Sequence, residues 1–141
     1  MGEYTFGRDT YIYDSNCGKK ISAYMPLAPE QEQNGVVGIE NIMMPRPIYD
    51  DPTYIGSGKL KDKVIIITGG DSGLGRAAAV AYAKEGADLV IPYYNEHEDA
   101  METKRVVERY GARCLLLSGD LSKKSFCEEV VKTTLSEYGK I

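Results

Sequence analysis

The residues best placed to do chemistry form one short stretch, Thr68-Gly69-Gly70-Asp71-Ser72-Gly73-Leu74-Gly75, directly after the apolar run Val64-Ile65-Ile66-Ile67. The chemistry on offer is anion binding. Glycines let the backbone turn tightly and let a phosphate approach without meeting a Cβ. A helix opening at Leu74 points its free N–H groups and positive dipole end at that phosphate. The β-branched run before the loop, apolar on both faces, suits a buried parallel strand. Strand, glycine loop and helix in this order make a nucleotide-binding site. Gly73-Leu74-Gly75-Arg76-Ala77-Ala78 fits the G-x-G-x-x-G/A fingerprint, and Thr68-Gly69-x-x-x-Gly73-Leu74-Gly75 is the more specific string.

Three places in such a unit contact a dinucleotide. The loop over residues 69–75 takes the pyrophosphate and adenosine ribose through Gly69, Gly73, Leu74 and Gly75. Asp71 and Ser72 add side-chain oxygens for ribose hydroxyls or for bracing the loop. At the end of the second strand an acid would accept from the ribose 2′-hydroxyl of NAD, and an Arg would meet the 2′-phosphate of NADP. This chain has Pro92-Tyr93-Tyr94-Asn95 there. Tyr93 holds the discriminating position, against adenosine or packed in the protein, with Asn95 nearby. Arg76 either reaches a phosphate or is solvated. The expected cofactor is NAD or NADP; Asp71 disfavours an extra phosphate and tilts the choice to NAD. At the end of the third strand, in Ser118-Gly119-Asp120-Leu121, Asp120 accepts from the adenine amino group and Leu121 covers the ring. Otherwise Asp120 is a turn or capping residue.

The elements that position these residues begin near Leu60. Residues 64–68 read as a strand. Leu74, Ala77, Ala78, Ala81 and Tyr82 make one helical stripe, stopped by Gly86. Residues 89–91 are a second strand, closed by Pro92. Asn95 with Glu98 resembles a capping box opening a helix that runs to about Tyr110. A third strand ends at Leu117. Ser125 with Glu128 forms a second such box, and the following helix carries Phe126, Val130, Thr134 and Tyr138. The pattern β-α-β-α-β-α predicts an α/β fold, the first half of a Rossmann-type doubly wound parallel sheet with strand order 3-2-1. The first strand is then an edge without protection, as if a further strand should follow Ile141.

Residues 1–59 read as an extended arm and residues 60–141 as the dinucleotide-binding unit. The first 60 residues hold five of six prolines and six of eleven tyrosines, without a sustained helix or strand period. The tyrosines and Ile42-Met43-Met44 suggest that the arm packs on a surface, its own or a neighbour's; a disordered leader is the alternative. Net charge is −4 without a basic patch, which argues against nucleic acid. No apolar run approaches membrane-spanning length. The start of the chain lacks a signal peptide's regions, and Phe6 stands where a myristoylation signal wants Ser or Thr. Cys17, Cys114 and Cys127 are too widely spaced for a disulfide framework or zinc site; Cys114 and Cys127 read as small core residues. The single His97 reads as a helix-surface residue. A reduced, cytoplasmic setting is expected.

With these residues in view, the chain resembles the short-chain dehydrogenase/reductase family, through Thr68-Gly69-x-x-x-Gly73-Leu74-Gly75, Asp120-Leu121 and the element spacing. Met44-Pro45-Arg46-Pro47, Gly56-Ser57-Gly58-Lys59-Leu60 and Tyr94-Asn95-Glu96-His97-Glu98-Asp99 are similar to a subgroup with an N-terminal arm, which includes bacterial general-stress proteins and glucose or ribitol dehydrogenases. The likeness runs from about Gln31 onward. It implies hydride transfer between a nicotinamide and an alcohol or carbonyl substrate, in a homo-oligomeric complete enzyme. In the family a Tyr-x-x-x-Lys pair and a Ser do the chemistry, the Lys lowering the Tyr pKa. None of the eleven tyrosines here has a Lys four residues on, so no catalytic residue is assigned and the chain alone is expected to be inactive. The competing readings are a non-catalytic nucleotide-binding or subunit-assembly module, and a Rossmann-like domain for a flavin or methyl donor.

Overall fold

The computed structural model describes residues 5–6, 9–10, 32–33, 38–44 and 46–141. The expectations for the extreme N-terminus, for Tyr11, Tyr13 and Tyr24, for Cys17, and for Pro26, Pro29, Gly35 and Pro45 lie outside these residues. The chain divides into two units, residues 1–36 and 37–141. In the first, β1 (Thr5–Phe6) pairs antiparallel with β2 (Asp9–Thr10).

In the second unit the order is β3 (Val64–Ile66), α1 (Gly73–Lys84), β4 (Asp88–Tyr93), α2 (His97–Arg109), β5 (Cys114–Ser118) and α3 (Lys124–Tyr138). The three strands form a parallel sheet in the order β3-β4-β5, with Val64 opposite Asp88 and Leu89 opposite Cys114. This is the expected 3-2-1 arrangement, with β3 at one edge. Leu89 and Ile91 of the central strand are fully buried against Ala79 and Ala83 of α1 and Val107 of α2. Each such aliphatic burial contributes about 1.5–3 kcal/mol.

Four local expectations are corrected. Pro92 does not close the second strand but lies within β4, opposite Leu117. Its carbonyl accepts from the Gly69 N–H at 3.0 Å, so its missing N–H also faces β3, which has ended by then. The stripe on α1 is out of phase: the buried residues are Arg76, Ala79, Val80 and Ala83, while Leu74 and Tyr82 are exposed. Neither capping box forms, because Glu96 and Lys123 occupy the N-cap positions of α2 and α3 and make no side-chain cap. Cys127 is exposed, with its Sγ 3.2 Å from the Leu121 carbonyl. Cys114 is buried as expected, and burial pushes its thiol up to about 12.

Residues 38–44 and 46–59 follow α1 from its first turn to its last. Glu40–Ile42 forms a single 3-10 turn beside the N-termini of α1 and α2. Farther on, the Tyr49 hydroxyl donates to Glu102 at 3.0 Å, and Asp50 pairs with Lys84 at 2.5 Å. Beyond them Glu85, the C-cap of α1, receives the Tyr54 hydroxyl and the N–H groups of Ser57 (3.0 Å) and Lys59 (2.8 Å). Gly56 permits this closeness: a Cβ there would lie 1.8 Å from the Lys84 carbonyl oxygen.

These bonds, the Tyr54 hydroxyl first among them, lower the Glu85 carboxyl from its ordinary 4.5 to about 2. A carboxylate with a lowered folded-state pKa stabilises the fold above its unfolded pKa, and that contribution disappears as pH falls through the folded value. The urea midpoint should therefore drop between pH 4.5 and 2, and Glu85→Gln should flatten that part of the profile. Parallel wild-type and variant profiles would contradict the assignment.

Candidate functional site

The loops after the three parallel strands meet at one end of the sheet. Gly69 N–H donates to the Pro92 carbonyl at 3.0 Å and Gly119 N–H to the Tyr93 carbonyl at 2.8 Å, while the Ser118 hydroxyl donates to the Tyr94 carbonyl at 3.0 Å. Ligands of open α/β sheets bind outside these carboxyl ends.

The glycine loop folds back on itself there. A Cβ at Gly75 would lie 2.1 Å from the Gly69 carbonyl oxygen, so only glycine allows the first turn of α1 to close on the start of the loop. At Gly69 and Gly73, by contrast, a Cβ would meet no atom within 4 Å; these positions face open space. Ser72 is the N-cap of α1 in an extended conformation, but its side chain caps nothing. Its hydroxyl donates instead to the Asp71 carboxylate at 3.2 Å. The earliest backbone bond of the helix runs from Arg76 N–H to the Ser72 carbonyl at 2.9 Å. Of the N–H groups before it, Gly73's goes to the Glu40 carboxylate, and those of Leu74 and Gly75 have no acceptor among the described residues. Leu74 is 92% exposed beside them. Two unsatisfied amides at a helix N-terminus suit an oxyanion.

Arg76 neither reaches outward to a phosphate nor is solvated. It is 1% exposed. Its Nε and Nη2 donate to the Asp71 carbonyl at 3.0 and 2.7 Å, and Nη2 also reaches the Asp99 carbonyl and carboxylate at 2.9 and 3.1 Å. Nη1 pairs with the Glu40 carboxylate. Thr103 accepts from Nε at 2.9 Å and donates to the Asp71 carbonyl at 2.8 Å. The Tyr49 ring lies 4.9 Å from the guanidinium. The Asp71 side chain is itself buried, and burial raises its carboxyl above its ordinary value.

The other predicted site residues lie at or just past the ends of β4 and β5, at the same end of the sheet. Tyr93 is only 8% exposed, and its hydroxyl is 2.8 Å from His97 Nδ1, the two rings standing edge to face. Tyr94 and Asn95 are exposed at the end of β4. Asp120 accepts from Ser122 N–H at 2.9 Å, and its hydrogen bonds to Ser122 hold the carboxyl below its ordinary value. Leu121 is exposed next to it. Glu40, Asp99 and Thr103 carry the support of the loop and were not among the sequence candidates. The one signal in the sequence for Arg76 was its place in the stripe Arg76-Ala79-Val80-Ala83.

A family model described as short chain dehydrogenase matches residues 63–141. General stress protein 39 of Bacillus subtilis (strain 168) is 55% identical over 119 residues, covering 84% of this chain and 42% of that protein. An apo crystal structure of glucose dehydrogenase from Caenorhabditis elegans superposes with a TM-score of 0.54 at 32% identity, over 59% of this chain and 36% of that one. The structure of carveol dehydrogenase from Mycobacterium avium in complex with NAD gives 0.57 at 25% identity, over 60% of this chain and 35% of that one. The chain thus spans about two fifths of the length of the curated relatives it matches.

Arg76→Met would leave Glu40 and Asp99 buried without their cation. Removing one partner of a buried ion pair costs about 3–5 kcal/mol, and urea unfolding should show a loss of that size. A loss below about 1 kcal/mol, the scale of an ordinary substitution, would contradict this account of the network.

Proposed function

The chain belongs to the short-chain dehydrogenase family, and from that premise we propose that it carries the NAD(P)-binding portion of an oxidoreductase acting on an alcohol or carbonyl substrate. The observation that supports this reading most directly is the pair of unpartnered amides, Leu74 and Gly75, at the front of α1. They bind the diphosphate, and the open faces of Gly69 and Gly73 admit it. Asp71 and Ser72 brace the loop from behind. Asp120 accepts from the adenine amino group and Leu121 covers the ring. Tyr93 backs the adenosine through its packing against His97, and Asn95 borders the ribose. The nicotinamide, when bound, supplies the hydride acceptor or donor. Tyr93, Tyr94, Asn95 and Glu96 bring no cation to the end of β4, which favours NAD over NADP.

The family's Tyr-x-x-x-Lys pair has no counterpart in this sequence, so these 141 residues bind the cofactor without turning over a substrate. We assign residues 1–59 to the arm and 60–141 to the dinucleotide unit. Among the described residues no helix is long and apolar enough to cross a membrane, in keeping with a cytoplasmic enzyme. Exposed Ile42, Ile48 and Ile55 on the arm favour, as a second role, contact with another subunit in a homo-oligomer.

Calorimetric titration tests the reading. The folded chain should bind NAD more tightly than NADP, and S-adenosylmethionine not at all. Gly75→Ala should weaken NAD by about tenfold or more, since the loop must open to admit the methyl group. A folded wild-type chain that binds neither dinucleotide would overturn the proposal. Turnover of NADH with a panel of carbonyl compounds by the pure chain would overturn the assignment of catalysis elsewhere.

A further inference from the structure

The first turn of α1 is not capped by its own neighbourhood. Ser72, the N-cap, makes no side-chain cap. The Gly73 N–H is taken instead by the carboxylate of Glu40, an arm residue 33 positions earlier. The other oxygen of that carboxylate pairs with Arg76, whose guanidinium donates twice to the Asp71 carbonyl. One carboxylate therefore holds the loop on both sides of Ser72, directly at Gly73 and through Arg76 at Asp71. Glu40 is itself fixed, since its N–H donates to the Asp99 carboxylate at 2.8 Å and the next residue, Asn41, donates to Glu98 at 2.5 Å.

We propose that Glu40 is a positioning residue for the diphosphate-binding amides, so that seating of the Glu40–Ile42 turn beside α1 sets the affinity of the glycine loop for dinucleotide. The inference rests on the function proposed above. Glu40 does not compete with the ligand. It is 5% exposed, whereas Leu74 on the ligand side is 92% exposed. Both of its oxygens are already engaged, one by Arg76 in a charge-assisted bond and one by the Gly73 N–H. Its effect is to hold Gly73 and Asp71 so that the Leu74 and Gly75 N–H groups converge without reorganisation. Without Glu40 the Gly73 N–H becomes a third orphan donor, the first turn frays, and the two ligand amides lose their fixed direction.

The test is a titration of the full 141-residue chain with ADP-ribose, which has the diphosphate, and with adenosine, which lacks it, alongside amide hydrogen exchange at Gly73. Glu40→Ala should weaken ADP-ribose about tenfold, leave adenosine unchanged and speed exchange at Gly73. Glu40→Gln keeps an acceptor for that N–H and should recover part of the affinity; it carries the same test if the alanine variant fails to fold. Unchanged ADP-ribose affinity in a folded variant, or an equal loss for adenosine as expected from general destabilisation, would overturn the inference. A wild-type chain that binds no ADP-ribose would overturn the proposed function and this inference together, and is told apart because it needs no variant.

Discussion

One buried cation organises the second unit. Moving a guanidinium out of water costs several kcal/mol even after relaxation, and Arg76 is almost wholly enclosed. The cost is offset only where each N–H meets an acceptor. Those acceptors come from three separate places: Glu40 on the arm, Asp99 and Thr103 on α2, and the Asp71 carbonyl in the glycine loop. Satisfying one side chain thus fixes the mutual positions of the Glu40 turn, the helix pair and the loop. Two carboxylates around one cation also make the cluster intolerant of losing that cation.

The shape of the loop follows from this arrangement. Arg76 and Thr103 pull the Asp71 carbonyl inward from below, Gly75 closes on the Gly69 carbonyl, and Glu40 takes the Gly73 amide. The N–H groups of Leu74 and Gly75 are left without an acceptor among the described residues. The sheet contributes the remaining surfaces, because β4 hydrogen-bonds at its end to the loops after both β3 and β5. Loops that are each short and held by backbone bonds are thereby brought together at one end of the sheet. The family match and the superposed dehydrogenases agree with the parallel α/β fold that carries these loops.

Much of this was legible in the sequence where the signal was local. The β-branched run ending in Thr68-Gly69, the alternation of strand and helix patterns, and the stops after each element led to the parallel sheet and its strand order. Other features could not be read. The phase of α1 was ambiguous because Ala77, Ala78, Ala79, Ala81 and Ala83 occupy nearly every face, and small apolar residues do not say which side is covered. A long charged side chain is almost never fully buried unless paired, and the side-chain partners of Arg76 lie 23 to 36 residues away. Glu40 sat in a segment without periodicity and gave no sign of a role. The apparent capping boxes matched a pattern, yet the chain starts α2 and α3 at neighbouring positions.

The central claim is that α1 begins with two amides reserved for a diphosphate by the Arg76 network. It is tested most directly by following backbone 1H–15N resonances while NAD is added to the isotopically labelled chain. The account predicts that Leu74 and Gly75 shift most, with smaller changes at Gly69, Gly73 and Asp120, while Arg76 and Thr103 stay in place. Saturable binding that leaves the Leu74 and Gly75 resonances unmoved would contradict it.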